Sequence, residues 1–251
     1  MTGSTSQPSE MADCCASDAD PRIARHFDRH IGSAVASGSL PELHATSRHL
    51  LDGLGDAGQL APSVLELGCS SGALTVSLLE RGASAARGID LSARSIEVAR
   101  NRAAAAEFTE RATFEVGDGA SARLQPHDWV VLDRVICCYR HADRLLANSI
   151  AAARQRYAFS VPISSGIRGV INKAVVTFEN ATNRFRGAPC PGYVHDVRWI
   201  EQRLAEAGFR RRSFQTTGLW YVAIFEVQPG GARANPRADA LGGSVSGPGV
   251  V

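Results

Sequence analysis

The chain has 251 residues, 44% of them hydrophobic and 21% charged, with a formal net charge of +2. That length suits one sizeable α/β domain with an appendage and is short for two full domains. The charge argues against an extended nucleic-acid footprint, and no run of the sequence approaches a membrane span.

Residues 1–20 are rich in Ser, Asp and Ala without periodicity and read as a disordered tail. Residues 21–60 read as a helical segment. Ile23, Phe27 and Ile31 share one face, and after Pro41 a second helix carries Leu43, Leu50 and Leu51. Such leader helices either lie over the mouth of a ligand site or add core packing, and the sequence leaves both open. His26 and His30 have the i,i+4 spacing of a two-histidine metal face. No acidic or cysteine partner follows at matching spacing, so they are read as a solvated helix face and no metal site is expected.

From residue 61 to 228 strands and helices alternate. Strands are expected at Ser63–Leu67, Ala85–Ile89, Thr113–Val116, Trp129–Leu132 and Arg156–Val161, the last closed by Pro162. Helices are expected at Gly72–Arg81 with Gly82 as its C-cap, after the capping residue Ser92 with Ile96, Val98 and Ala99 inside, and at Asp143–Arg154. This pattern implies a mainly parallel, doubly wound, Rossmann-like sheet with right-handed crossovers and helices on both faces. Gly166–Arg186 breaks the alternation. Ile167, Val170, Ile171, Ala174, Val175 and Phe178 recur at helical spacing, with Arg and Asn opposite, and suggest a helical lid within an insertion spanning 163–190. A helix at Val197–Ala207 follows. Strands Phe209–Thr216 and Leu219–Val227, joined tightly at Thr217-Gly218, must be antiparallel, which makes seven strands with an antiparallel last one. The Gly/Ala/Ser/Pro-rich residues 229–251 read as a second disordered tail.

The chemistry centres on Val64–Thr75, a strand, a small-residue turn and a helix start. Glycine lets backbone approach a ligand, and a helix N-terminus offers unpaired N–H groups. In an open parallel sheet, ligands bind beyond the carboxyl ends of the strands, where Glu66, Gly68, Asp90, Asp118 and Asp133 all fall. Asp90 lies 22 residues beyond Gly68, where a carboxylate can accept both ribose hydroxyls of a nucleoside.

Glu66-x-Gly68-x-x-x-Gly72, Gly-Ile-Asp90-Leu-Ser and Gly117-Asp118 together resemble the successive motifs of class I S-adenosylmethionine-dependent methyltransferases, over about residues 60–227. The resemblance implies an enzyme with S-adenosyl-L-methionine as cofactor. Gly68 and Gly72, with Cys69 and Ser70 between them, would wrap the methionine part, and Glu66 would order the loop or reach the amino group. Asp90, followed by Leu91, would bind the ribose hydroxyls. Asp118 would meet the adenine amino group, with backbone from Gly119 or Ala120. Asp133, Arg134 and Val135 would face the sulfonium. Ser70 stands where the family usually has a third glycine, and a serine fits there if its φ is negative. A nicotinamide-binding enzyme would want G-x-G-x-x-G, but Gly68, Ser70 and Ala73 fill those places.

The acceptor is read as a small molecule methylated on oxygen or nitrogen, with a weaker resemblance to small-molecule O-methyltransferases. The end of the fourth strand lacks the Asn-Pro-Pro-Tyr-like tetrapeptide of many base-amine methylating enzymes, and Arg210-Arg211-Arg212 is as easily a solvated strand edge. Nucleic acid and membrane are therefore not expected as partners. Thiol or metalloid methylation, suggested by Cys137-Cys138, RNA methylation and a non-catalytic cofactor-binding protein are the alternatives. His141 and His195 are the imidazoles placed to serve as catalytic bases. Six cysteines in two adjacent pairs and two singles do not form a secreted disulfide framework, and no apolar signal segment follows Met1, so the expected compartment is the cytoplasm.

Overall fold

The computed structural model describes residues 21–55, 61–185 and 191–228; both expected tails and the end of the insertion lie outside them. Two leader helices, α1 (Pro21–Ala36) and α2 (Ala45–Leu54), precede the alternating core. Its elements are β1 (Ser63–Leu67), α3 (Ala73–Glu80), β2 (Ala85–Asp90), α4 (Ala93–Ala105), β3 (Ala112–Val116), β4 (His127–Asp133), α5 (Asp143–Ala152) and β5 (Ala153–Pro162). The insertion helix α6 (Gly166–Phe185), α7 (Val197–Glu206) and the hairpin β6 (Phe209–Thr217) and β7 (Trp220–Val227) complete the chain.

The seven strands form one sheet in the order β3-β2-β1-β4-β5-β7-β6. Strands β1 to β5 pair in parallel, β7 runs antiparallel to β5, and β6 antiparallel to β7. The chain winds outward from β1 through β2 to β3, then returns to β4 on the other side of β1. The loops leaving β1 and β4 therefore diverge, which opens a crevice at the carboxyl ends of those two strands.

Alternate residues of each central strand serve opposite faces. Leu65, Leu67, Val130, Leu132, Tyr157 and Phe159 belong to one core with α5 and α7. Val64, Trp129, Val131, Ala158, Val222 and Ile224 belong to the other, against Leu50, Leu51 and Leu54 of α2 and Leu74, Leu78 and Leu79 of α3. The second leader helix is thus core. The first is docked by side chains: Asp28 accepts from Ser92 Oγ at 2.6 Å and from the Arg94 N–H at 3.1 Å, at the start of α4. Ser92 Oγ itself accepts from the Ser95 N–H at 3.0 Å, so it caps α4 as expected.

Helix α6 is turned inside out relative to an ordinary surface helix. Asn172 is buried, and its Nδ2 donates to the Ile163 and Leu219 carbonyls, both at 2.8 Å. Asn180 exchanges two bonds with the Gly192 backbone, each 2.8 Å. The apolar stripe of the helix faces solvent: Ile167 is 81%, Val170 69% and Phe178 71% exposed. Replacing Asn172 by leucine leaves two carbonyls without their donor and is expected to cost about 1–3 kcal/mol. Amide exchange should rise across residues 166–185 while β1, β4 and β5 keep their protection; unchanged exchange in α6 would show that the asparagine is not its anchor.

Candidate functional site

The loop after β1 is fixed before any ligand arrives. The N–H groups of Gly68 and Cys69 both donate to the Ile89 carbonyl of β2, at 2.7 and 3.2 Å. Gly68 (φ +69°) and Gly72 (φ +72°) adopt the left-handed conformation that glycine tolerates. The space above them belongs to protein. A Cβ on Gly68 would lie 2.3 Å from a methyl of Val135, and one on Gly72 would lie 2.9 Å from the Ala99 Cβ. Both glycines are therefore required by turn geometry and close packing, beyond any contact with a ligand. Ser70 corrects the expectation of a negative φ, since it sits at φ +47°. A left-handed non-glycine residue costs about 1–2 kcal/mol, and the bond from the Ser70 N–H to Asp90 Oδ2 at 2.9 Å offsets it. Cys69 is buried, and desolvation together with Asp90 and Glu66 holds its thiol well above the ordinary range.

Glu66 is buried at the end of β1 and accepts a short bond from Thr75 Oγ1 on α3. Burial pushes its pKa from 4.5 to about 8, against the pull of Thr75, and the charges of Asp133 and Asp90 add to the rise. Asp90, half-buried, holds two loops together: Oδ2 accepts from Ser70 and Oδ1 from the Ser92 N–H, each at 2.9 Å. Burial raises its pKa, the two backbone donors lower it, and Asp28 raises it further. Asp90 accordingly makes the local turn expected of a residue before a helix, but the cap itself is Ser92. Leu91 lies between them.

Asp118, after β3, is buried, and its Oδ1 accepts from the Ala120 N–H at 2.9 Å and from the Tyr139 hydroxyl at 2.5 Å. The carbonyl of Gly119 is held by Asn148 Nδ2 at 2.9 Å. At the end of β4, Asp133 accepts from Ser47 Oγ of α2 and Ser160 Oγ of β5, both at 2.5 Å. Ser160 in turn accepts from the Arg134 N–H at 2.9 Å. Arg134 is left-handed (φ +60°), and its guanidinium lies 4.7 Å from the ring centre of Trp220 on β7. Strained backbone of this kind concentrates at functional sites. Val135 packs on Gly68 and so joins the first loop to the fourth.

The structure thus gathers Glu66, Gly68, Cys69, Ser70, Gly72, Asp90, Asp118, Gly119, Asp133 and Val135 along one edge of the sheet. The two histidines differ. His141 is exposed. His195 Nε2 faces the Tyr139 carbonyl at 2.9 Å, with its ring beside Tyr193 and Trp199. Desolvation lowers the pKa of His195, while the Tyr139 and Ile136 carbonyls pull the other way. Ser47, Thr75, Tyr139 and Ser160 were not singled out from the sequence. Ser47, Tyr139 and Ser160 are hydroxyls whose carboxylate partners are distant in the chain, while Thr75 lies nine residues after Glu66, at the end of the strand–turn–helix stretch itself.

Burial of several carboxylates on one edge sets the chemistry. Such an edge accepts hydroxyl and N–H donors and favours a cationic ligand, because a nearby positive charge lets Glu66 ionise. Residues 64–157 match the family model described as a methyltransferase domain. No curated protein matches the chain. Similar solved structures include magnesium protoporphyrin IX methyltransferase from Synechocystis with bound SAH, at 18% identity and a TM-score of 0.53, covering 82% of this chain and 84% of that one. Geranyl diphosphate C-methyltransferase from Streptomyces coelicolor, in complex with Mg2+, geranyl diphosphate and S-adenosyl-L-homocysteine, is 14% identical with a TM-score of 0.62, covering 85% of this chain and 100% of that one. An O-methyltransferase family protein from Burkholderia thailandensis is 15% identical with a TM-score of 0.62; the match covers 82% of this chain and 60% of that longer one. Residues 64–157 thus match a methyltransferase domain, and the chain shares the fold of these enzymes.

Glu66 gives this site a pH signature. Its folded pKa, about 8, lies above its ordinary 4.5, so the folded chain holds the proton more tightly. Its contribution to stability is complete below about pH 4.5 and is lost as pH rises through about 8. Across that window the unfolding free energy should fall by roughly 3–5 kcal/mol relative to Glu66→Gln, which cannot ionise. Denaturant titrations of both proteins at several pH values measure it; parallel profiles would mean that Glu66 does not hold the proton.

Proposed function

We propose that the chain transfers the methyl group of S-adenosylmethionine to an oxygen or nitrogen of a small-molecule acceptor. The observation that carries this reading is the row of carboxylates at the ends of β1, β2, β3 and β4, held in place by loop hydrogen bonds. Glu66 would hold the ammonium group of the cofactor as a carboxylate, its proton released to solvent on binding. Asp90 accepts the ribose hydroxyls on lone pairs not used by Ser70 and Ser92, since each carboxylate oxygen can take more than one bond. Asp118 meets the adenine amino group, with backbone from Gly119 and Ala120, while Tyr139 fixes its orientation. Leu91 lies beside the ribose-binding residue, and Asp133, Arg134 and Val135 form the wall beside the methyl group.

When bound, the cofactor supplies an electrophilic methyl carbon, which an acceptor lone pair takes in line as the carbon–sulfur bond breaks. The chain's own contribution is orientation, which can supply much of the rate in such a displacement. Locked by two serines, Asp133 fixes the floor beside the acceptor. His195 holds the Tyr139 loop as a positioning residue, its Nε2 donating to the Tyr139 carbonyl. Helix α6, seated by its asparagines on the Ile163, Leu219 and Gly192 backbone, serves as the lid over the acceptor.

One observation favours a small molecule over nucleic acid. The arginines of the β6 run are paired: Arg210 and Arg212 with Glu226 at 2.5 and 3.0 Å, and Arg211 with Glu201 at 2.8 Å. Among the described residues, no helix is long and apolar enough to cross a membrane. The sulfurs of Cys137 and Cys138 both point at the Arg134 carbonyl, at 3.4 and 3.6 Å, which gives them a local structural use. Proteins of similar fold are named for acceptors as different as a porphyrin and geranyl diphosphate, so the fold itself favours neither.

Calorimetry with S-adenosylhomocysteine tests the reading. Asp90→Ala should weaken binding by about ten- to several-hundredfold, the loss of one or two charge-assisted bonds. Ser92→Ala, which removes the cap of α4 and one of the two bonds to Asp28, should lower stability by about 1–3 kcal/mol and leave affinity nearly unchanged. Intact affinity in Asp90→Ala would overturn the assignment of the ribose site.

A further inference from the structure

The outward face of α6 has no role in the site just described. Its apolar residues Ile167, Val170, Ile171, Val175 and Phe178 are 40–81% exposed. With Ala174 they form an uncharged stripe along a 20-residue helix. Contiguous exposed apolar surface beyond a few hundred Å² marks an interaction site. The start of the helix is tied to the sheet edge on one flank of the stripe, where Arg168 Nη1 donates to Thr216 Oγ1 of β6 at 3.3 Å.

We propose that this face binds the same face of a second copy of the chain, with the two α6 helices antiparallel about a two-fold axis. The helix is self-complementary in that orientation only. Arg168 and Glu179 are 11 residues apart, close to three full turns, so they lie on one flank of the stripe. In an antiparallel pair like flanks meet, and a crossing point between Lys173 and Ala174 sets Arg168 of each copy opposite Glu179 of the other. Two ion pairs then bracket the apolar contact. In a parallel pair the same residues would not meet. Ala174 falls at the crossing point, where a small side chain allows close approach of the two helices. A helix of this length is about 30 Å long, so the contact is on the order of 500 Å² per copy, the low end for a specific interface. The dimer is therefore weak and concentration-dependent, dissociating in the micromolar range.

Sedimentation of the full chain from low micromolar to several hundred micromolar tests this. The wild type should pass from monomer to dimer. Phe178→Glu and Val170→Glu, at exposed positions that carry no core packing, should each raise the dissociation constant by about a hundredfold or more, with an unchanged circular dichroism spectrum. Arg168→Glu or Glu179→Arg alone should weaken the dimer by about three- to tenfold, and the double swap should restore it. A monomer at every concentration overturns the proposal, as does a dimer that survives Phe178→Glu. A chain that stays monomeric but sediments with phosphatidylcholine–phosphatidylglycerol vesicles overturns it in favour of lipid, and a double swap no tighter than the single ones overturns the antiparallel pairing.

Discussion

Burying a carboxyl group away from water forces a choice between finding a partner and keeping its proton. Glu66 is in that position, buried at the end of β1 with Asp90 and Asp133 near enough to oppose its charge. Much of the surrounding architecture follows from accommodating it. Thr75 comes from α3 to hydrogen-bond it, which sets how α3 leaves the loop. The loop between them then needs a left-handed glycine at each end to turn within four residues. Asp90 is bound to the same loop through Ser70, so the ends of β1 and β2 move as one.

A second set of contacts closes the edge from the side of β4. Asp133 is gripped by Ser47 of a leader helix and by Ser160 of β5, and Ser160 also receives the Arg134 N–H. Hydroxyls suit this task, because one group can donate to a carboxylate and accept from an amide at once. Arg102 of α4 bonds both the Ser71 and Pro41 carbonyls at 3.0 Å, which ties the first loop to the segment joining the leader helices. The leader segment is thus both core, through Leu50, Leu51 and Leu54, and part of the site, through Ser47. One end of α2 thus packs in the core while the other reaches the strand-end carboxylates.

The elements of the core were legible because apolar alternation and turn residues report local geometry. Ser63–Leu67 was read to the residue, and Ser92 was recognised as a cap from its position before an apolar-periodic stretch. The row of strand-end carboxylates was legible for the same reason. What escaped was anything decided by a distant partner. Tyr139 binds Asp118 across 21 positions, and Ser47 binds Asp133 across 86. The left-handed Ser70 donates its N–H to Asp90, 20 positions away, a contact that no local pattern encodes. Helix α6 was found, and its periodicity was real, but which face turns inward was set by Asn172 meeting two carbonyls of other elements.

That mode of attachment has an evolutionary corollary. A helix held by apolar interlock cannot change its contact residues without disturbing the core, because packing is dense and shape-dependent. Helix α6 is held instead by amide side chains that read backbone carbonyls and N–H groups, which every sequence supplies. Its anchor is therefore nearly indifferent to neighbouring side chains. The outward residues can drift under selection for whatever they touch, while Asn172 and Asn180 keep the helix seated and the sheet edge undisturbed. Partnership and chemistry are separable traits in this chain, each open to change on its own face of one helix.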